Sequence, residues 1–211
     1  VRLVLVRHGE SVWNRDGRFQ GQCAAELSSL GLEQAQDVAA AFKNLCPNVL
    51  HSSPLKRTMQ MAQAISEACG LPIMKEDGLQ EMNLGHIDGL TGVELKEQYP
   101  ELYKQWREDP SRVAMPGGES LGELQERAWR AIETIRRAGA DLGSDGLAAV
   151  VCHNFAIITI MCRLLGMPLS NFHRIRIALG SLNTIEWDDR GWRLLGLNEV
   201  YHLRSGRTYG S

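Results

Sequence analysis

Short apolar runs alternate along the chain with longer segments whose apolar positions recur every three or four residues. That alternation predicts an α/β fold, a three-layer sandwich with a mostly parallel central sheet and helices on both faces. Arg2 to Val6 reads as a buried strand, followed by a glycine-rich polar stretch from Gly9 to Glu26. Ser28 or Ser29 then opens a helix that places Leu32, Ala35, Val38, Ala39 and Phe42 on one face, and Pro47 ends the region. Val49 to Ser52 is a second strand, and Pro54 stands in the first turn of a helix that runs to about Cys69 and stops at Gly70.

Pro72 to Lys75 is a third strand, and Asp77 to Gly92 a polar loop. Leu95 to Trp106 has helical period but contains Pro100, which predicts two short helices. Ser120 with Glu123 makes a capping box at the head of a helix reaching about Ala138. Leu147 to Cys152 is the most continuous apolar strand, with a helix from Phe155 to Leu165 behind it. Leu182 to Trp187 and Trp192 to Leu197 form a closing hairpin around Asp188-Asp189-Arg190-Gly191. With no repeat and no linker, 1–211 is expected to be one domain.

Composition narrows the function without naming it. A net charge of -2 supplies no general field for nucleic acid or an anionic membrane, so neither is an expected partner and any anion must be caught locally. No apolar run approaches a membrane span of roughly 18 residues. Five scattered cysteines without a Cys-x-x-Cys pair argue for reduced thiols and against a disulfide framework or a zinc site; a cytoplasmic protein, monomer or homodimer, is expected. No cofactor and no metal are implied.

In open sheets of this kind ligands bind beyond the carboxyl ends of the strands, which directs attention to Arg7-His8-Gly9, Ser52-Ser53-Pro54 and His153-Asn154. The run Leu3 to Asn14, with Arg7-His8-Gly9-Glu10 at its centre, resembles the opening signature of the histidine phosphatase superfamily, the phosphoglycerate mutase-like family. Ser52 to Thr58, Glu81 to Gly85, Pro116 to Ser120 and Val150 to Asn154 agree with it in order and approximate spacing, so the resemblance spans Arg2 to His202.

Those positions make chemical sense together. A neutral imidazole whose second nitrogen is tied down is a competent nucleophile toward phosphorus, which singles out His8. The charge on a transferring phosphoryl group needs fixed cationic donors, and Arg7 and Arg57 are suited to that. An alcohol leaving group needs a proton donor with a raised pKa, a role that falls to Glu81. The resemblance implies that His153 also meets the phosphoryl oxygens and that Asn14 lies near them; Gln20, Gly21 and Asn154 complete the expected substrate-binding set.

Two departures matter. Where many relatives carry Asp-x-Pro-Leu-Thr, this chain reads Ala24-Ala25-Glu26-Leu27-Ser28, which leaves the contacts from Gln20 and Gly21 open. Mutases usually follow the acid with Arg-His-Tyr-Gly, whereas Met82-Asn83-Leu84-Gly85 follows it here, which resembles the phosphatase branch. The expected activity is hydrolysis of a small phosphorylated metabolite through a phosphohistidine. A phosphoglycerate mutase and an inert binding domain on the same fold are the alternatives. Residues 91–115, with Tyr99, Tyr103, Trp106, Arg107 and Arg112, are expected to cap the site and set specificity.

Overall fold

The structure, a computed structural model, describes residues 1–143 and 146–204. Strand β1 (Arg2–Arg7) leads through a one-turn helix α1 (Val12–Arg15) to α2 (Ser29–Leu45), β2 (Val49–Ser52), α3 (Lys56–Cys69) and β3 (Ile73–Lys75). Then come α4 (Gly92–Gln98), α5 (Pro100–Glu108), α6 (Leu121–Ala138), β4 (Leu147–Cys152), α7 (Asn154–Leu164) and the hairpin β5 (Leu182–Asp188) and β6 (Gly191–Glu199). The sheet order is β3-β2-β4-β1-β5-β6. The first four strands in sequence run parallel, and β5 and β6 are antiparallel to their neighbours. This is the mostly parallel sandwich expected from the alternation.

Each central strand divides its side chains between two cores. Leu3 and Leu5 of β1, with Ala148, Val150 and Cys152 of β4, pack with α6 and α7. Val4 and Val6, with Leu147, Ala149 and Val151, pack with α2 and α3. Burial on both faces is why these strands read as unbroken apolar runs. The chain leaves β1, builds β2 and β3 outward, and returns to insert β4 between β2 and β1. That reversal brings the carboxyl ends of β1, β2 and β4 side by side, and the segments after them form the crevice.

Several expectations are corrected in detail. The stretch from Gly9 to Glu26 contains α1, formed because Ser11 and Asn14 make a reciprocal capping box. Leu32 is 47% exposed, and Gly31 and Gln34 take its place on the buried face of α2. Pro54 precedes α3 instead of lying in its first turn, because Leu55 is the N-cap. The break at Pro100 holds, with a Thr91–Glu94 capping box starting the first piece at Gly92.

The loop after β1 seats directly on α2. Gly31 lies so close that a Cβ there would meet the Glu10 carbonyl oxygen at 2.0 Å, and Ser28 Oγ donates to Glu10 Oε1 at 2.7 Å. Because the obstacle is backbone, it cannot swing away. Gly31→Ala should therefore cost about 2 kcal/mol, measurable as a lower urea midpoint at unchanged m-value; an unchanged midpoint would show that the contact is slack.

Candidate active site

His8 leaves β1 into the interior, 2% exposed. Its Nδ1 lies 2.7 Å from the Gly9 carbonyl oxygen, and Arg57 Nε donates to its Nε2 at 3.2 Å. A carbonyl can only accept and a guanidinium can only donate. The proton is therefore on Nδ1, and Nε2 keeps its lone pair. Burial first, then the charges of Arg57 and Arg7, push the His8 pKa well below that of a free imidazole, so the ring is neutral at physiological pH.

Arg57 is fully buried in the first turn of α3, at the positive end of the helix dipole, where a cation is disfavoured. It is held by the carbonyl oxygens of Gly21 (2.7 Å from Nη2) and Cys23 (3.1 Å from Nη1). Arg7 donates through Nη1 to the Ile177 carbonyl, and its Nε is buried without a hydrogen-bond partner among the described residues. Burial lowers its pKa to about 10, against the raising effect of Glu81, so it remains a cation. Two guanidinium groups over one carboxylate give the site a positive floor within a chain of net charge -2.

His153 follows β4 and meets His8 edge to face at 5.2 Å between ring centroids. Its Nε2 is 2.8 Å from Ser53 Oγ, at the end of β2. Ser53 Oγ also accepts from the Leu55 N–H at 3.4 Å. The Nδ1 of His153 is buried and without a partner among the described residues. Like His8, it is held well below the ordinary imidazole pKa, by burial above all and by Arg57.

Glu81 lies at the N-terminus of α7. Its Oε1 accepts from Met82 N (3.0 Å) and Ala156 N (3.3 Å), and its Oε2 from Phe155 N (3.1 Å). These bonds and the two arginines favour the carboxylate, but burial outweighs them and raises the pKa above the usual carboxylate value.

Arg7, His8, Asn14, Gln20, Glu81 and Asn154 line one cavity of about 400 Å³, a size typical of small-molecule sites. Arg57 and His153 lie behind its floor. The Ser11 N–H donates to Asn14 Oδ1 at 3.1 Å and its hydroxyl to Gln20 Oε1 at 2.8 Å, which leaves the two side-chain amide N–H groups for the cavity. Gly21 does not face it: its N–H donates to Asp88 Oδ1 at 2.8 Å and its carbonyl accepts from Arg57. The outer wall is Phe19, Leu84 and Phe155, with Arg18 at the mouth.

Of residues 91–115, Thr91, Gly92, Val93, Lys96 and Tyr103 line a depression that shares Gly17 and Gly92 with the site cavity. Gly92 itself lines the cavity. Trp106 stacks on Phe155 at 5.8 Å and packs on Phe172, so it supports the wall from behind. Arg107 donates to Tyr103 at 3.2 Å, and exposed Arg112 pairs with Asp109. Sequence reasoning missed Ser53, Arg18, Phe155 and the Glu119–Arg127 pair beneath the acid loop. Ser53 and Glu119 stood inside quoted motifs, whereas Arg127 looked like an ordinary helix residue. Among the described residues no three His, Cys, Asp or Glu side chains gather as a metal site would require.

Comparison with known proteins adds the lineage of this arrangement. A profile of the histidine phosphatase superfamily (branch 1) matches residues 3–200. Phosphoserine phosphatase 1 of Hydrogenobacter thermophilus is 36% identical over 203 residues, which cover 96% of this chain and 94% of that one. The probable phosphoglycerate mutase GpmB of Yersinia pestis is 32% identical over 208 residues, covering 96% and 95%. Among solved structures, a mycobacterial glucosyl-3-phosphoglycerate phosphatase complexed with VO3 superposes with a TM-score of 0.87 at 29% identity, covering 94% of this chain and 99% of that one.

The two buried imidazoles carry a stability consequence. Each has a pKa below 6.5 when folded, so the unfolded chain binds more protons as the pH falls through that value. Stability from these groups is full above about pH 6.5 and declines below it. Urea unfolding from pH 7.5 to 5 should show this loss, with a shallower slope in His8→Gln/His153→Gln; an equal slope in that variant would mean the imidazoles are not the groups that titrate.

Proposed function

This chain belongs to the histidine phosphatase superfamily, and we propose that it hydrolyses a small phosphomonoester through a phosphohistidine on His8, without a metal. The observation that carries the reading is the state of His8: a neutral ring whose Nδ1–H donates to a backbone carbonyl and whose Nε2 lone pair accepts from buried Arg57 Nε, a bond that the incoming phosphoryl group displaces. In the first step Nε2 attacks phosphorus, the P–O bond of the ester breaks, and Glu81 gives its proton to the departing oxygen. Arg7 Nε meets the phosphoryl oxygens from the cavity lining, and Arg57 and His153 support them from the layer behind. The amides of Asn14 and Gln20 and the side chain of Asn154 border the same space.

In the second step the Glu81 carboxylate takes a proton from water, the water oxygen attacks phosphorus, and the P–N electron pair returns to Nε2. Phosphate leaves and the enzyme is restored. Hydrolysis is favoured over mutase transfer by the wall opposite the floor: Phe19, Leu84 and Phe155 are apolar, and Arg18 is the one cation at the mouth among the described lining residues. A second phosphate would find little there to hold it. The relatives named for phosphoserine and glucosyl-3-phosphoglycerate support a phosphorylated metabolite as substrate. Five free thiols suit the reducing cytoplasm.

A phosphate ester should be hydrolysed at full rate in excess chelator, and His8→Ala should lose at least about 10³-fold in kcat, the scale of removing an essential catalytic group; persistent hydrolysis by that variant would defeat the proposal. Activity also needs His8 neutral and Glu81 protonated at once. Rates should therefore fall as pH rises through the raised Glu81 pKa, above 4.5. In Glu81→Gln that alkaline limb should disappear from the kcat/KM profile; its survival would assign the limb to another group.

A further inference from the structure

The carbonyl-rich strand of chain that delivers Glu81 is held by one side chain from a different element. Arg127, on α6, has five N–H donors, and every one has an acceptor. Nη1 donates to the carbonyl oxygens of Gly78 (3.0 Å) and Gln80 (2.7 Å), and Nη2 to that of Glu81 itself (2.8 Å). The remaining two go to the Glu119 carboxylate, from Nη2 to Oε1 at 2.6 Å and from Nε to Oε2 at 3.0 Å.

Glu119 closes the circuit on the other side of the acid. Its Oε1 accepts from Asn83 N at 2.7 Å and its backbone N–H donates to the Asn83 carbonyl at 2.9 Å. The backbones are in direct contact: a Cβ on Gly118 would meet the Asn83 oxygen at 2.2 Å, and one on Gly78 would meet the Arg127 oxygen at 2.9 Å. Residues 78–83 are thus pinned before and after Glu81 by one ion pair.

We propose that Arg127, clamped by Glu119, is a positioning residue for the proton donor: it fixes the main chain of Glu81 so that the carboxyl faces the departing oxygen across from His8. This rests on the reading of Glu81 as the acid. Arg127 lies off the cavity lining, so its effect passes through the loop and not through contact with substrate. Lysine cannot replace it, because a single ammonium lacks the fork that reaches three carbonyls and a carboxylate together.

In phosphorylation of His8, the step that kcat/KM reports, a loosened acid matters only where the leaving oxygen needs the proton; the later attack of water is common to all esters. The test compares an alkyl phosphate, a poor leaving group, with p-nitrophenyl phosphate, a good one, in Arg127→Met, Arg127→Lys and Glu119→Gln, each checked for folding by circular dichroism. Glu119→Gln keeps the shape of the residue and serves if the arginine variants do not fold. For the alkyl ester kcat/KM should fall by about tenfold or more, part of what general acid catalysis supplies, while that for p-nitrophenyl phosphate changes less than about threefold.

Equal losses on both esters, or no loss on either, would overturn the positioning role. Glu81→Gln run alongside separates the two levels. A leaving-group-dependent loss there without one in the Arg127 and Glu119 variants overturns this inference alone, whereas equal losses in Glu81→Gln overturn the acid assignment and this inference with it.

Discussion

His8 stands between a carbonyl that can only accept and a guanidinium that can only donate, and much of the local structure maintains that position. The Gly9 carbonyl and Arg57 Nε together leave one protonation state for the ring. Holding Arg57 there, fully buried and at the wrong end of a helix dipole, requires the loop after β1 to turn its Gly21 and Cys23 carbonyls inward. That loop is in turn held by Asp88 on Gly21 and, further along, by Gln60 on Leu27. A nucleophile with a defined lone pair is thus the product of contacts spread over nearly eighty residues of sequence.

The sheet order explains how so many pieces reach one place. Because β4 is inserted between β1 and β2, His8, Ser53 and His153 emerge from adjacent parallel strands. The bond from Ser53 to His153 links two of those ends directly. The N-terminus of α7 follows immediately and presents its first N–H groups to Glu81. Burial of Arg7, Arg57 and Glu81 carries a large desolvation cost, and it leaves a net positive floor complementary to a phosphoryl dianion. In the proposed mechanism that same burial keeps the acid protonated and the nucleophile neutral.

The strands and most helices were legible because their signals are local. β4, buried on both faces, matches the apolar run Leu147 to Cys152 at both ends, and the capping box at Ser120 and Glu123 marks the start of α6. Leu32 was misplaced because periodicity assigns a face to apolar residues, whereas the close seat at Gly31 rotates the contact toward Gly31 and Gln34. The residues of the floor were readable as motifs. Their arrangement in two tiers, with Arg57 and His153 behind the cavity lining, was not, since depth depends on which strands are neighbours.

Residues whose partners are main-chain carbonyls were the hardest to find. Nothing in the composition of α6 distinguishes Arg127 from Arg130 or Arg136, because the acceptors that occupy it lie almost fifty residues away. In residues 91–115, aromatic and basic side chains suggested substrate contact; Trp106 backs Phe155, while Thr91, Gly92 and Tyr103 line a depression beside the cavity.

The central claim, that the Nε2 lone pair of His8 takes the phosphoryl group, is most directly tested by rapid quench of the enzyme with a phosphorylated substrate, followed by ³¹P NMR and peptide mapping. The account predicts an acid-labile phosphate on Nε2 of His8, formed no more slowly than product appears. A phosphoryl group on Nδ1, on another residue, or an intermediate formed more slowly than turnover would contradict it.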